Sequence, residues 1–321
     1  MKYMRIKNRN NVKVLFFYYI YNMNRFGYAC INTELTAKGI SSSRSMKLST
    51  FLKNGRTHYD TTVIGNLGSL LQTLKWNEEH GIKVFRISND LFPHKNRVTL
   101  DELLEVEPIR VLLSGIGEYA ISNGHRLSFH TDAYSVLASQ RESVVANAVN
   151  DINFVSGVLD AMGLECTPLH KVNVHIGTSK PSKPQAAENF INGYNLLSPS
   201  AKRRLTIEND DKPSAFTVDD LYNLIHTHIR IPIVIDYHHH SIHNDGVDLE
   251  NALSKALSTW NGVRPIVHYS SSRKLYEDVK SPVTAHADFI YEKIPTFGRD
   301  FDIMLECKSK EQALLKYVSC L

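Results

Sequence analysis

Cysteine is scarce in this sequence: 321 residues carry four, Cys30, Cys166, Cys307 and Cys320, with no close pair among them. That spacing offers neither a disulfide scaffold nor a thiolate zinc site, and it fits a reducing intracellular compartment, cytoplasmic or nuclear. Long hydrophobic runs are missing as well. No apolar stretch approaches the roughly 18 residues of a membrane-spanning helix, so no membrane partner is expected. Acids are nearly absent from the start of the chain. Through Tyr59 a single acid, Glu34, stands against eleven Lys or Arg, while the remainder is mildly acidic. A basic arm on such a body suits a polyanion such as nucleic acid, although a solvated basic tail would have the same composition. Finally, no glycine-rich phosphate fingerprint follows the first strand-like run, where "GYACINTEL" stands instead. That argues against a dinucleotide-binding open sheet.

What is present is ordinary globular material, 42% hydrophobic and 22% charged. The opening "MKYMRIKNRNNVKVLFFYYIYNM" mimics a signal peptide, but no small-residue cleavage site follows it cleanly. Residues 1–24 are therefore read as a basic extension, with an organelle address left open, and residues 25–321 as a single domain. Eight strand-like runs recur: "RFGYAC", "KVFRIS", "RLSFH", "KVNVH", "RLTIE", "IPIVID", "RPIVH" and "DIMLEC". Helical patterns lie between them. "LGSLLQTLKWNEEHG" ends on Gly81, a C-cap; Ser139 and Thr217 are N-cap candidates, each with an acid three residues on. Alternating strands and helices at this spacing predict an α/β fold, a (β/α)₈ TIM barrel, with a doubly wound sheet as the alternative. The Ser/Thr/Lys-rich segment 36–60 reads as a large first loop.

In a barrel the C-terminal strand ends converge on one face, where active sites are built. Those ends carry Asn32, then Asn89 with Asp90 and His94, then His130, His175, Glu208, Asp236 with His239, His268 and Glu306. One histidine ending a strand is more often structural than a ligand. Seven or eight candidates at separate strand ends would share one pocket, and that is harder to dismiss. Histidine plus carboxylate without thiolate suits Mn²⁺, Zn²⁺ or Fe²⁺, and the donors exceed what one ion needs. Two or more ions suit phosphodiester hydrolysis. The run "IDYHHHSIHND" then contributes Asp236 and His239 to that pocket, with His238 and His240 as supporting or packing groups and His243 open.

The segments "GYACIN", "WNEEHGIKVFRISNDLFP", "NVHIG", "LTIENDD", "IPIVIDYHHH", "RPIVHYSSS", "AHADFI" and "FDIMLECKSKEQALL" occur in order. Together they resemble the UV damage endonuclease family from about Arg25 to the C-terminus. The resemblance implies a metal-dependent TIM-barrel enzyme, with manganese as cofactor in two or three sites. It also implies incision of double-stranded DNA immediately 5′ of a UV photoproduct, leaving a 3′-hydroxyl and a 5′-phosphate, by a monomer. His130, His175, Glu208, Asp236, His239, His268 and Glu306 fall on the family's ligand positions, with Glu208, Glu306 and Asp236 as catalytic candidates. His94 lies near a further ligand position, at a different offset. Tyr28, Asn32 and Tyr134 match residues implicated in lesion binding, and Lys183 matches a lysine that can hold phosphate. His286 and Asp288 match the family without an assignable role.

Two departures stand out. Ala133 occupies the place of a glutamine that probes the distorted duplex beside Tyr134. Ile266 replaces a lysine two residues before His268 that can be carboxylated and contribute at the metal site, so one ion is expected to be lost, to bind weakly, or to use water instead. Three rival readings follow: an abasic-site endonuclease of related barrel type, a sugar isomerase, and a damaged-DNA-binding protein without catalysis.

Overall fold

The computed structural model describes residues 25–321; the basic extension expected over residues 1–24 lies outside them. The eight strands form where the β-rich runs predict: β1 Phe26–Ala29, β2 Val84–Arg86, β3 Arg126–His130, β4 Val172–His175, β5 Leu205–Glu208, β6 Ile233–Val234, β7 Ile266–Tyr269 and β8 Asp302–Leu305. All pairings are parallel, in the order β6-β5-β4-β3-β2-β1-β8-β7. A parallel bridge between Asp236 and His268 joins β6 to β7 and closes the ring. The sheet is a (β/α)₈ barrel rather than a doubly wound open sheet.

Strand alternation sorts the residues. Asp302 and Met304 on β8 alternate with Glu306 just beyond it up one face, and Lys171 just before β4 alternates likewise with Asn173 and His175 on it. Ala29, Val84, Val234, Trp260, Ile266 and Met304 make a small inner core. A larger outer core packs strands against helices. The helices include α1 Thr33–Ala37, α2 Leu48–Glu79, α3 Glu107–Ser122, α4 Glu142–Ala161, α5 Lys183–Asn195, α6 Val218–Leu221, α7 Tyr237–Ile242, α8 Leu249–Ser258 and α9 Lys310–Val318. The α3–α4 layer needs Gly117, because a Cβ there would sit 1.5 Å from the Met162 carbonyl oxygen.

Two local expectations change. The segment read as a long loop over 36–60 is helical from Leu48, with a break at Gly55 (φ 70°, ψ −167°) inside α2. Its polar composition hides a buried side made by Tyr59, Val63 and Leu67, with Phe51 packed edge-on to Tyr59. Ser139 does not cap α4. The helix starts three residues later, with Arg141 at the N-cap position, and the Ser139 hydroxyl accepts from the Arg141 N–H instead, at 3.1 Å. Thr217 does cap α6, reciprocally with Asp220. Gly81 has φ 69°, as a residue just past a helix end requires.

Candidate metal centre

β4 and β5 are in register with His175 opposite Glu208, so a histidine and a carboxylate meet at the same height at the barrel mouth. From there two groups of donor atoms assemble. His130, His175 and Glu208 form one, and Glu208, Asp236, His268 and Glu306 form the other; within each group the donor atoms lie within 4.8 Å of one another. Glu208 belongs to both.

Neighbouring groups aim these donors. The His130 Nδ1–H donates to the Thr131 carbonyl oxygen at 2.9 Å, which turns Nε2 toward Glu208 Oε2 at 3.2 Å. The His239 Nδ1–H donates likewise to the Asn209 carbonyl at 2.9 Å, which leaves Nε2 on the opposite side of the ring. A backbone carbonyl holding one ring nitrogen fixes the tautomer that presents the other to a metal. The Asn209 side chain also clasps the Asp236 backbone through two bonds, of 2.8 and 3.1 Å. Asp236 accepts the His239 N–H at 2.8 Å as the N-cap of α7. His268 Nδ1 lies 3.1 Å from Glu208 and 3.0 Å from Glu306.

Charge follows geometry. Burial alone would raise the Glu208 carboxyl, yet His268, His175 and His130 hold it well below the usual carboxylate range. Glu306 is depressed in the same way, by Arg86 and His268 against burial. Burial also opposes a charged His239, but Asp236 and Glu208 outweigh it and hold the ring up at about 9. Both glutamates are thus ionised and ready to ligate. Asp236 Oδ2 and His175 Nδ1 are buried without a hydrogen-bond partner among the described residues. Buried polar atoms are rarely left so. Orphaned hard donors around a shared carboxylate are what divalent cations would satisfy, so the residues fit a metal centre.

Not every residue singled out from the sequence comes to this centre. The His94 Nε2 is 2.6 Å from the Met46 carbonyl oxygen, and the ring belongs to neither donor group. His238, His240 and His243 are buried outside both groups, and His238 packs on His286, whose Nδ1 meets Ser270 Oγ at 2.6 Å. Tyr28 and Asn32 are buried and bonded to each other. The Tyr28 hydroxyl donates to Asn77 at 2.7 Å and accepts from Asn32 at 2.9 Å, while Asn32 Oδ1 caps α1. Tyr134 is the opposite case, 88% exposed. Lys183 pairs with Asp220 at 2.6 Å. A cavity of about 280 Å³ connects the two regions: His130, His175 and His239 line one side, Asp132, Ala133 and Ser135 another.

Three supporting residues escaped the sequence reading. Arg86 pairs with Glu306. Asn173 donates to Glu208 and accepts from Thr206 Oγ1 at 2.6 Å. Lys171, wholly buried, places Nζ 3.2 Å from His268 Nε2, and burial pushes its pKa down to about 7. Ile266 is an apolar inner-core residue, so the amine beside His268 comes from β4 and not from β7. The signal was there: in "KVNVH" the polar Lys171, Asn173 and His175 alternate with valines, which puts all three on one strand face.

Comparison with known proteins follows the same line. The family model described as UV-endonuclease UvdE matches residues 24–321. The chain is 31% identical to the UV-damage endonuclease of Schizosaccharomyces pombe over 304 residues, covering 91% of this chain and 50% of that protein; it spans about half that relative's length. It is 31% identical to the UV DNA damage endonuclease of Bacillus pumilus over 309 residues, covering 92% of each. The crystal structure of SacUVDE superposes with a TM-score of 0.81 at 32% identity, covering 93% of this chain and 98% of that one.

Proposed function

The chain belongs to the UV-endonuclease UvdE family, and from that premise we propose that it nicks duplex DNA immediately 5′ of an ultraviolet photoproduct. The ends left are a 3′-hydroxyl and a 5′-phosphate. The observation that carries this reading is the pair of donor groups sharing Glu208, with His130 and His175 of the first group facing a cavity also lined by the loop that presents Tyr134.

His130, His175 and Glu208 would hold one divalent cation, and Glu208, Asp236, His268 and Glu306 another, with His239 beside them. Mn²⁺ suits this mixed imidazole–carboxylate set. His94, which belongs to neither donor group, is left out of the ligand set. Ions bound there would activate water and stabilise charge on the attacking and leaving oxygens of the scissile phosphate. Glu208, Glu306 and Asp236 are the catalytic carboxylates of this scheme, and Arg86 offsets part of their charge from the barrel interior. Tyr134 projects into solvent, where an aromatic ring can enter a weakened base stack. Unstacking costs a few kcal/mol in general and less at a damaged step, which supplies part of the selectivity. Tyr28 and Asn32 are buried and bonded to each other and do not line the cavity, so they are left out of the lesion pocket. Lys183, once released from Asp220, holds a backbone phosphate.

The test is a duplex with one defined photoproduct, incubated with the purified protein with and without Mn²⁺, and the incision mapped to the nucleotide. A cation-dependent nick directly 5′ of the lesion is the expected result. Retarded mobility of the damaged duplex with no nick at any Mn²⁺ concentration would overturn it.

A further inference from the structure

Tyr134 stands almost free in solvent, yet the turn that carries it is tightly held. On its barrel side, Asn89 Nδ2 donates to the His130 carbonyl at 2.6 Å and to Asp132 Oδ1 at 2.9 Å. The Thr131 N–H donates to the Asn173 carbonyl at 3.1 Å, and the Ser135 and Val136 N–H groups close the turn onto Asp132 and Tyr134 at 2.9 and 3.0 Å. On its helix side everything converges on one carboxylate. Ser135, next to Tyr134, donates its hydroxyl to Asp151 Oδ2 on α4. Asp151 Oδ1 lies 2.5 Å from the ammonium of Lys95, which comes from the loop after β2. Asp151 and Lys95 are largely buried, at 12% and 15% side-chain exposure. One carboxylate therefore ties two separate loops to one helix at the root of the exposed ring.

We propose that Asp151 is a positioning residue that pre-organises the Tyr134 turn for entry into damaged DNA. The proposal rests on the DNA-incising function set out above. A ring on a loose turn would have to be ordered when it enters the stack, and that ordering subtracts from binding; a ring on a turn already fixed by charge-assisted bonds avoids it. Asp151 lies in neither donor group, so its influence runs through the turn and not through the metals.

The test is a double-mutant cycle of Asp151→Ala and Tyr134→Ala, read by fluorescence anisotropy on damaged and undamaged duplexes, so that it does not depend on nicking. Asp151→Ala should lower the damaged-to-undamaged affinity ratio by about fivefold, raise KM accordingly, and leave the Mn²⁺ midpoint of thermal stabilisation in place. In the Tyr134→Ala background the same change should add less than about twofold, because its route is already gone. Asp151→Asn keeps an acceptor for Ser135 and discards the charge partner of Lys95. It guards against misfolding and should give an intermediate loss. Effects that multiply in the double mutant, or an unchanged affinity ratio in both Asp151 variants, would overturn the proposal. A wild-type protein that prefers damaged duplex but never nicks it would overturn the nuclease reading alone, while the cycle still decides the role of Asp151.

Discussion

The two ends of the barrel interior bury the same kinds of charge and treat them differently. At the N-terminal end Asp302 is wholly buried and saturated: Oδ1 receives Arg25 at 2.9 Å and Arg264 at 2.7 Å, and Oδ2 receives Arg25 at 2.6 Å and Arg126 at 2.9 Å. At the C-terminal end Glu208, Glu306 and Asp236 meet mostly imidazoles, and Asp236 Oδ2 and His175 Nδ1 have no hydrogen-bond partner among the described residues. Guanidinium groups bring their own protons and finish the job, so the lower cluster is a closed structural plug. Imidazoles fixed by backbone carbonyls offer lone pairs instead, so the upper cluster is one that could hold cations. A buried carboxylate is informative through its partners.

The sharpest way to break that contrast is Glu208→Gln. It removes the ligand common to both donor groups and should lower incision by roughly 10³-fold or more while the fold survives. Thermal shift with and without Mn²⁺ checks it, since the cation-induced rise in Tm should vanish. The matching change at the other end, Asp302→Asn, should destabilise by roughly 3–5 kcal/mol, because three arginines then face an uncharged group. Its Mn²⁺ response should remain. The pH dependence separates the ends further. Burial would raise the Asp302 carboxyl, but Arg25, Arg126 and Arg264 hold it below its usual range. A depressed folded pKa gives stability that is present above the unfolded value, about 3.9, and is lost as pH falls through the folded one. Asp302→Asn should therefore flatten the acid limb of the unfolding curve, measured by urea titration between about pH 5 and 2.

How much of this was legible in the sequence depends on how far each signal had to reach. The eight strands were visible because short β-branched runs with turn residues at their ends are local signals. Their terminal histidines and acids followed directly, since a barrel brings strand ends together. Helix α2 was misjudged before Leu67 because its apolar face is sparse, and only packing against the rest of the fold shows that Tyr59 and Val63 are buried. Arg86 and Asn173 stayed hidden for another reason. Their partners, Glu306 and Glu208, lie on other strands, and register across a parallel sheet is not written in either strand alone.

Lys171 sharpens the comparison because it stands between the two ends. Its amine is 3.2 Å from His268 Nε2, the ring nitrogen opposite the one that meets Glu208 and Glu306. Lys171→Met keeps the volume and removes that partner, so the ring loses what fixes its orientation. Supporting residues of this kind typically govern a tenfold to hundredfold range of metal affinity, and we expect the Mn²⁺ affinity to fall by roughly tenfold or more. Titration calorimetry against Mn²⁺ measures it directly. An unchanged affinity would move Lys171 into the structural half of the barrel, with Asp302.

The smallest effect should come from His94, and its smallness is informative. The residue follows a segment that resembles the family and lies near a ligand position, so on sequence alone it belongs with the upper cluster. The geometry gives its Nε2 to the Met46 carbonyl at 2.6 Å and packs its ring near Phe51, bracing the start of α2 against the loop after β2. A carbonyl oxygen only accepts, so Nε2 carries the proton and Nδ1 keeps the lone pair, but the ring lies in neither donor group. His94→Ala should then cost about 1 kcal/mol, the scale of one hydrogen bond, and leave Mn²⁺ affinity unchanged. If affinity fell instead by the tenfold or more expected of a lost ligand, the Nδ1 side of the ring would have to reach a cation. The loop after β2 would then belong to the metal centre, and the line between saturated and unsaturated donors would need redrawing at that loop.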